Sequence, residues 1–362
     1  MPLARRGMEM NRHQVGALTL IVLQTGCSSW VQKPDTVLIR EHDQSSYTIH
    51  HDVETVAKNY WVYTALAANA YHLKWPDYKQ QLVQANIKQV TEPLSKQFER
   101  SCKPHSDVTI PTPGWYAWTQ FPGPNLAKKA EKAKLFFSVW EHRTGKGSSD
   151  VSEVAIVFRG TEGDQRQDWE SNARWFIPTK LRGEDQYDIT RDIVARVFED
   201  EIQTRIRQHR LPPDVKVVAL GHSLGGGLAQ QLAYAMPRSS EHLIKVSKVV
   251  AFNSSPVTGW LSTQNPPRDE NTHGLEIDRV FEHGEALAYV RLVINMIVPP
   301  QKRDSHVRDL RFNFLTSAGG VSNHGSQFFA CRFAEVAGAT KDVVYTESFA
   351  DQAVPLISPP AP

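Results

Sequence analysis

Residues Val215 to Gly227 read VKVVALGHSLGGG, and this stretch decides the fold. The run at 215–220 is short, apolar and rich in β-branched residues, which predicts a strand buried on both faces. The sequence GHSLG at 221–225 ends that strand, and LAQQLAYAM at 228–236 is typical of a helix. The stretch therefore predicts a strand, a sharp turn and a helix, in that order.

A G-x-S-x-G sequence between a buried strand and a helix is the setting of a nucleophile elbow. The turn forces Ser223 into a strained backbone conformation, and Gly221 and Gly225 remove side chains that would clash there. The new helix also directs its first N–H groups to the same point. We predict that Ser223 is a nucleophile; the alternative is a glycine-rich turn that happens to contain a serine.

Composition is that of a globular protein with a sizeable core. The chain has 362 residues, 40% hydrophobic and 22% charged, with a formal net charge of +2. This small net charge gives no basis for nucleic-acid binding, and no Lys/Arg-rich run in the sequence suggests it.

The N-terminus has the pattern of an export signal. Basic residues precede an apolar run at 15–23 that is too short to span a bilayer, and a small-residue site follows it. Cys27 in GCSS resembles the lipidated cysteine of a bacterial lipobox, although Gln24 stands where leucine is usual. We expect a signal peptide at 1–26 and a lipid-anchored protein of the bacterial cell envelope, in the outer membrane or periplasm. The alternative is an ordinary cleaved signal and a secreted protein.

Cysteine usage agrees with export. Besides Cys27 the chain has only Cys102 and Cys331. They could pair in an oxidising compartment, but sequence alone cannot place them within bridging distance.

Beyond the signal, we expect a polar tether at 27–50 and one domain at 51–362. Helical patterns at 52–70, 78–100 and 185–209 accompany strand patterns at 114–121, 134–142, 152–160, 245–253 and 277–284. Strands that alternate with helices predict an α/β fold with a mainly parallel central sheet. The stretches 259–274 and 301–323 have the composition of loops or insertions.

A serine nucleophile needs a base and an acid, which follow it in the order serine, acid, histidine on this fold. His324 follows the flexible AGGVSN and precedes an apolar helical run, so it is the favoured base. His306 and His283 remain alternatives.

The acid should lie just beyond a strand end. Gly284 ends the strand IDRVFEH, so Glu285 is the favoured acid, with Asp278 as the alternative; Glu285 could also simply begin the next helix.

An oxyanion hole needs two N–H donors. Leu224 supplies one because it follows the nucleophile directly. Thr161, in RGT after the apolar strand at 154–158, is the candidate for the second.

Together these residues resemble the class 3 (fungal-type) lipase family over about residues 52–338. The motifs are FRGT at 158–161, Trp169 in QDWESN, GHSLGG at 221–226, VVAFNSSPV at 249–257, the strand-end acid and the late histidine. The resemblance implies an α/β-hydrolase fold, ester hydrolysis, Thr161 as the oxyanion Ser/Thr, and a mobile lid at about 162–180. Glu285 stands where the family has aspartate, and 259–274 has no family counterpart that we can place.

The expected function is therefore hydrolysis of carboxylic esters of lipids, of the triacylglycerol lipase or phospholipase type, with no metal or organic cofactor. The expected partners are the lipid or ester substrate and a membrane reached through the Cys27 anchor. The alternatives are a carboxylesterase for small esters, a protease or thioesterase on the same fold, and a non-catalytic envelope lipoprotein that binds lipid or a protein partner.

Overall fold

The computed structural model describes residues 32–340, apart from residues 43, 76, 105, 146–149, 162–184, 240–242, 286, 289–290, 292–305 and 316–323. The predicted signal peptide with Cys27 and the predicted lid at 162–180 lie outside the described residues. Both stay predictions.

The strands join in one sheet. They are β1 (Val37–Arg40), β2 (Thr48–His50), β3 (Trp115–Ala117), β4 (Phe137–Arg143), β5 (Val151–Phe158), β6 (Lys216–His222), β7 (Lys248–Phe252), β8 (Glu276–Glu282) and β9 (His306–Phe312). Within the described residues the sheet is nine-stranded, in the order β2-β1-β9-β8-β7-β6-β5-β4-β3.

The sheet as a whole is mixed, and its centre is parallel, as the sequence predicts. The five strands β5 to β9 run parallel, and antiparallel strands extend both edges. These edge pairings include β1 with β9, which are far apart in sequence, so the alternation of central strands and helices does not reveal them. A mixed sheet flanked by helices, with the serine turn at the end of a central strand, is an α/β-hydrolase fold.

Two segments contain strands that the sequence does not predict. The predicted tether at 27–50 contains β1 and β2, and β1 pairs with β9. β9 itself lies within 301–323, which was predicted to be a loop. The charged sequence of β9 is typical of an exposed loop. Its charges are accommodated in the sheet because they are paired: Arg308 contacts Asp278, and Asp309 contacts Arg40.

The helices lie on both faces of this sheet. They are α1 (Val53–Lys58), α2 (Trp61–Asn69), α3 (Tyr78–Thr91), α4 (Leu94–Ser101), α5 (Pro124–Lys132), α6 (Gln186–Ile189), α7 (Ala195–Arg207), α8 (Leu224–Ala235), α9 (Arg268–Thr272) and α10 (Ser326–Val336). A π-helical segment (Thr190–Val194) makes α6 and α7 continuous. The predicted helix at 78–100 is two helices because Pro93 interrupts it.

Alternate residues of the central strands enter two different cores. On β5, Val154, Ile156 and Phe158 pack with α7 and α8, whereas Ala155 and Val157 pack with α1, α2 and α10. This two-sided burial explains the continuous apolar runs of β5 and β6. It also holds the carboxyl ends of the parallel strands in one row, and the site lies there.

Candidate active site

Ser223 occupies the sharp turn between β6 and α8. Its backbone has φ 58° and ψ −125°, in a region that residues with side chains rarely adopt. The N–H of Ser223 donates to Phe252 O at 3.0 Å, and its carbonyl accepts from Ser255 N–H at 2.9 Å. β7 and the loop after it therefore hold the strained residue in place.

Two glycines give this turn the space that it needs. A Cβ on Gly225 would lie 2.2 Å from the carbonyl oxygen of Phe158, and one on Gly221 would lie 2.2 Å from the carbonyl of Gly225. Because these neighbours are backbone atoms, they cannot swing aside as flexible side chains do. A side chain at Gly225 would push the elbow away from β5, and one at Gly221 would push the start of α8 away from β6.

Gly160 brings the segment after β5 next to the serine. A Cβ there would lie 3.0 Å from Ser223 Cβ and 2.4 Å from the hydroxyl of Tyr71. Thr161 follows Gly160 and is exposed. Leu224 begins α8, so its N–H is one of the helix N-terminal donors that have no intrahelical acceptor. Leu224 is thus adjacent to the serine in the chain, and Thr161 follows a glycine that closely approaches the serine.

Glu285 and His324 form a buried hydrogen-bonded pair. His324 Nδ1 lies 2.8 Å from Oε2 of Glu285, which is fully buried. An ionised carboxylate only accepts hydrogen bonds, so Nδ1 carries the proton and Nε2 carries the lone pair of the neutral ring. Gly284, with φ 69°, turns the chain after β8 and places Glu285 beyond the strand end.

The carboxylate of Glu285 has two further donors. The N–H of Leu287 donates to Oε2 at 2.8 Å, and the guanidinium of Arg291 donates to Oε1. Arg291 also donates through its other terminal nitrogen to the carbonyl of Ser254, at 2.7 Å. The acid is thereby joined to the loop after β7, the same loop that contacts the serine.

His222 connects His324 to the elbow. Its Nε2 lies 2.8 Å from the backbone carbonyl of His324, and the two ring centroids are 4.8 Å apart. Because a carbonyl only accepts, Nε2 of His222 carries the proton, and its Nδ1 accepts from the Tyr71 hydroxyl at 2.9 Å. Burial lowers the pKa of His222 well below its ordinary value, which agrees with a neutral ring.

The electrostatics of the site keep His324 neutral. Burial, and then the positive charge of Arg291, lower the pKa of His324 below its ordinary value. Burial likewise lowers the pKa of Arg291, to about 9, so its guanidinium is still charged at neutral pH. A neutral imidazole beside an ionised carboxylate can accept a proton.

The alternative acid and bases lie elsewhere. Asp278 is buried within β8, where Arg308 and Lys248 each contact it at 2.8 Å and Tyr60 at 2.9 Å. Burial opposes ionisation of this carboxyl, but the two cations hold its pKa below the ordinary value. His306 is exposed at the start of β9, and His283 is only partly buried after β8. The structure brings His324 to Glu285 instead.

Three residues of this network were not predicted from the sequence: Tyr71, His222 and Arg291. Tyr71 directly follows the helical pattern at 52–70, and nothing in that pattern marks it as part of the site. His222 occupies the variable position of G-x-S-x-G. Arg291 follows Glu285 in EALAYVR, and its N–H bonds to Leu287 O at 2.9 Å, as in a helical turn. The arginine is six residues from Glu285, which is not a helical contact spacing, so no sequence signal links the two.

Cys102 and Cys331 form a disulfide, with their Cα atoms 5.7 Å apart. The bond joins the end of α4 to α10, the helix that begins just after His324. Gln327 adds a hydrogen bond from its side-chain amide to the carbonyl of Ser101, at 2.7 Å. His324 therefore lies just before a tethered helix.

Within the part of the chain that the structure describes, no cluster of His, Cys, Asp and Glu has the arrangement of a metal site. None of the described helices combines the length and the hydropathy that crossing a membrane requires.

Part of the chain that forms this site is similar to a known protein family. Residues 155–265 match the family model "Lipase (class 3)". Over this segment, the chain is similar to class 3 lipases. The matched segment contains the second half of β5, Thr161, the elbow with Ser223, and β7. The match supports a lipase-type ester hydrolase.

Structural similarity extends over more of the chain but is weak. A lipase from Rhizopus microsporus var. chinensis is 14% identical, with 63% of this chain and 71% of that chain covered and a TM-score of 0.31. At that score the overlay carries no argument, and the α/β-hydrolase fold rests on the strand order. Among curated proteins, none matches this sequence.

Proposed function

We propose that this chain hydrolyses carboxylic esters of lipids through a triad of Ser223, His324 and Glu285. The observation that supports the proposal most is the buried hydrogen-bonded pair of His324 and Glu285. The backbone carbonyl of His324 also accepts a hydrogen bond from His222, the residue before Ser223. The class 3 lipase match supports the ester chemistry.

Acylation begins when Ser223 Oγ attacks the carbonyl carbon of the ester. Nε2 of His324 takes the hydroxyl proton, and Glu285 stabilises the imidazolium that forms. The carbonyl oxygen becomes an oxyanion, which the N–H groups of Leu224 and Thr161 bind. When this intermediate collapses, His324 returns the proton to the leaving alkoxide, and an acyl-serine remains.

Deacylation repeats the steps with water. His324 takes a proton from the water that attacks the acyl carbon, then gives that proton back to Ser223 Oγ as the ester bond to the serine breaks. The products are an alcohol and a carboxylic acid, and the serine is regenerated. Protein groups and water account for every proton.

A lipid ester is the favoured substrate for two reasons. The family match is to lipases, and the N-terminal sequence predicts an anchor at Cys27 that would keep the enzyme at a membrane. Triacylglycerol and phospholipid are both substrates of this chemical class. The proposed location is the bacterial cell envelope, and the disulfide supports export because such bonds persist in oxidising compartments.

The test is a substrate profile of the purified protein. Emulsified long-chain glycerolipids and phospholipids are compared with soluble short-chain esters, each with wild type and Ser223→Ala. We expect hydrolysis of the emulsified lipids by wild type and none by the variant. Hydrolysis confined to short soluble esters would identify the protein as a carboxylesterase and contradict the lipase assignment. The absence of any ester hydrolysis would contradict the whole proposal.

A further inference from the structure

Arg291 is a buried cation whose two terminal nitrogens contact different parts of the site. One nitrogen donates to Oε1 of Glu285, and the other donates to the carbonyl of Ser254 at 2.7 Å. The guanidinium also lies over the ring of Phe281, 4.1 Å from its centroid. Only 8% of Arg291 is exposed, so it is held in one geometry.

The two oxygens of the Glu285 carboxylate have different hydrogen-bond donors. Oε2 accepts from His324 and from the N–H of Leu287, both at 2.8 Å, while Oε1 accepts from Arg291. A carboxylate held at both oxygens cannot rotate away from the imidazole. A glutamate has one more rotatable bond than an aspartate, so such a clamp matters more here.

We propose that Arg291 is a positioning residue that holds Glu285 ionised and oriented towards His324. The imidazole of His324 then remains an effective base at acidic pH. The inference rests on the proposed triad. Arg291 acts through Glu285 and does not itself touch the substrate.

Charge supports the same role. A buried carboxylate without a partner favours its protonated form, and the guanidinium opposes that. Arg291 is also a cause of the lowered pKa of His324, after burial. Loss of the cation should therefore raise the pKa of the base towards its ordinary value.

Charged and titratable groups face Arg291 and His324 from several other elements. Asp309 of β9 and Tyr47 favour the charged form of Arg291, whereas Arg279 of β8 opposes it. The neutral His222 and Tyr71 face His324 from the elbow side. Among these neighbours Arg291 is the cation that contacts the acid.

The test compares Arg291→Gln, Arg291→Lys and Arg205→Gln by pH profiles of kcat/KM, with Tm measured for each. Arg205 of α7 is the matched control because it is 7% exposed, as buried as Arg291, and its guanidinium contacts Glu201. In Arg291→Gln we expect kcat to fall about 10- to 100-fold, as for a lost charge-assisted hydrogen bond. KM should change little, and the acid limb should move to higher pH. Arg205→Gln should keep the wild-type limb.

Arg291→Lys separates charge from geometry. One ammonium supplies the charge but cannot hold Glu285 and Ser254 in the same fork, so kcat should fall while the acid limb stays near that of wild type. A double-mutant cycle with Glu285→Gln should show that Arg291→Gln adds little once the carboxylate is gone.

Two outcomes would overturn the inference: a wild-type acid limb in folded Arg291→Gln, or wild-type kcat in Arg291→Lys. If Arg291→Gln does not fold, the lysine variant decides. Ester hydrolysis that is lost in Ser223→Ala but unaffected by the Arg291 variants would leave the proposed function standing and remove only the role of the arginine.

Discussion

The ring of His222 donates a hydrogen bond from Nε2 to the backbone carbonyl of His324, at 2.8 Å across 102 positions of sequence. The bond joins the residue before the nucleophile to the loop that carries the base. Tyr71 fixes the same ring from its other nitrogen. The backbone of His324 is thus held by His222, independently of the Glu285 carboxylate, which contacts the ring. A variant at Glu285 should therefore change the ring's partner without releasing the backbone.

Glu285→Gln should remove activity while the site stays folded. Arg291 must donate to the amide oxygen, which turns the amide NH₂ towards Nδ1 of His324 and favours the tautomer with the proton on Nε2. We expect kcat to fall by roughly 10³- to 10⁴-fold, as for loss of a triad acid. Kinetics and far-UV circular dichroism measure the two effects.

The control is Glu335→Gln, a carboxylate on α10 whose side chain is 59% exposed and pairs with Arg332. It should keep wild-type kcat. An active Glu285→Gln would assign the acid to another residue.

Gly225→Ala should break the elbow. The added methyl would lie 2.2 Å from the Phe158 carbonyl, so the free energy of unfolding should fall by about 1–3 kcal/mol. Gly123→Ala is the matched control, because no atom lies within 4 Å of its added methyl. Thermal unfolding of both variants checks this, and equal Tm values would contradict the close packing of β5 against the elbow.

Removing the disulfide should loosen the helix that follows His324. In Cys102→Ala/Cys331→Ala we expect the free energy of unfolding to fall by about 2–4 kcal/mol, because a long loop in the unfolded chain is no longer closed. Reduced wild type should match the variant. Free thiols at both positions in denatured, unreduced protein, mapped by alkylation, would contradict the pairing.

Glu282 should make stability depend on pH. Burial raises its pKa from 4.5 to about 8, against the hydrogen bonds that it accepts from the N–H groups of Leu315 and Phe314. A group whose pKa is raised on folding stabilises fully below its unfolded pKa, and this stability is lost as pH rises towards the folded value. Wild type should therefore lose stability relative to Glu282→Gln between pH 4.5 and about 8.

Measuring Tm for the two proteins across that range tests the assignment. A difference that stays constant with pH would show that Glu282 titrates normally.

The local features of the site were predictable because each depends on neighbours in the sequence. The strand, turn and helix around Ser223 follow from residue types at fixed spacing, and Gly284 marks the strand end that precedes Glu285. The choice of His324 used chain order on a known type of fold. No such rule gives its distance from Glu285.

Features that depend on distant partners were not predictable. β1 becomes a strand only because it pairs with β9, and β9 looks like a loop because its charges are neutralised by residues such as Asp278 and Arg40. Tyr71 lies far from the elbow in sequence, so its hydrogen bond to His222 depends on how α2 packs against β6. Tertiary contacts decide these cases, and hydrophobic periodicity does not record them.

The central claim is that the hydroxyl of Ser223 is the nucleophile, and covalent labelling tests it most directly. Wild type, Ser223→Ala and Ser255→Ala are treated with a serine-reactive fluorophosphonate, and intact mass and peptide mapping locate the adduct. Ser255 is the matched control because it lies beside the elbow and bonds to Ser223 through its backbone N–H at 2.9 Å. We predict one adduct on Ser223 in wild type and in Ser255→Ala, and none in Ser223→Ala; equal labelling of Ser223→Ala and wild type would contradict the account.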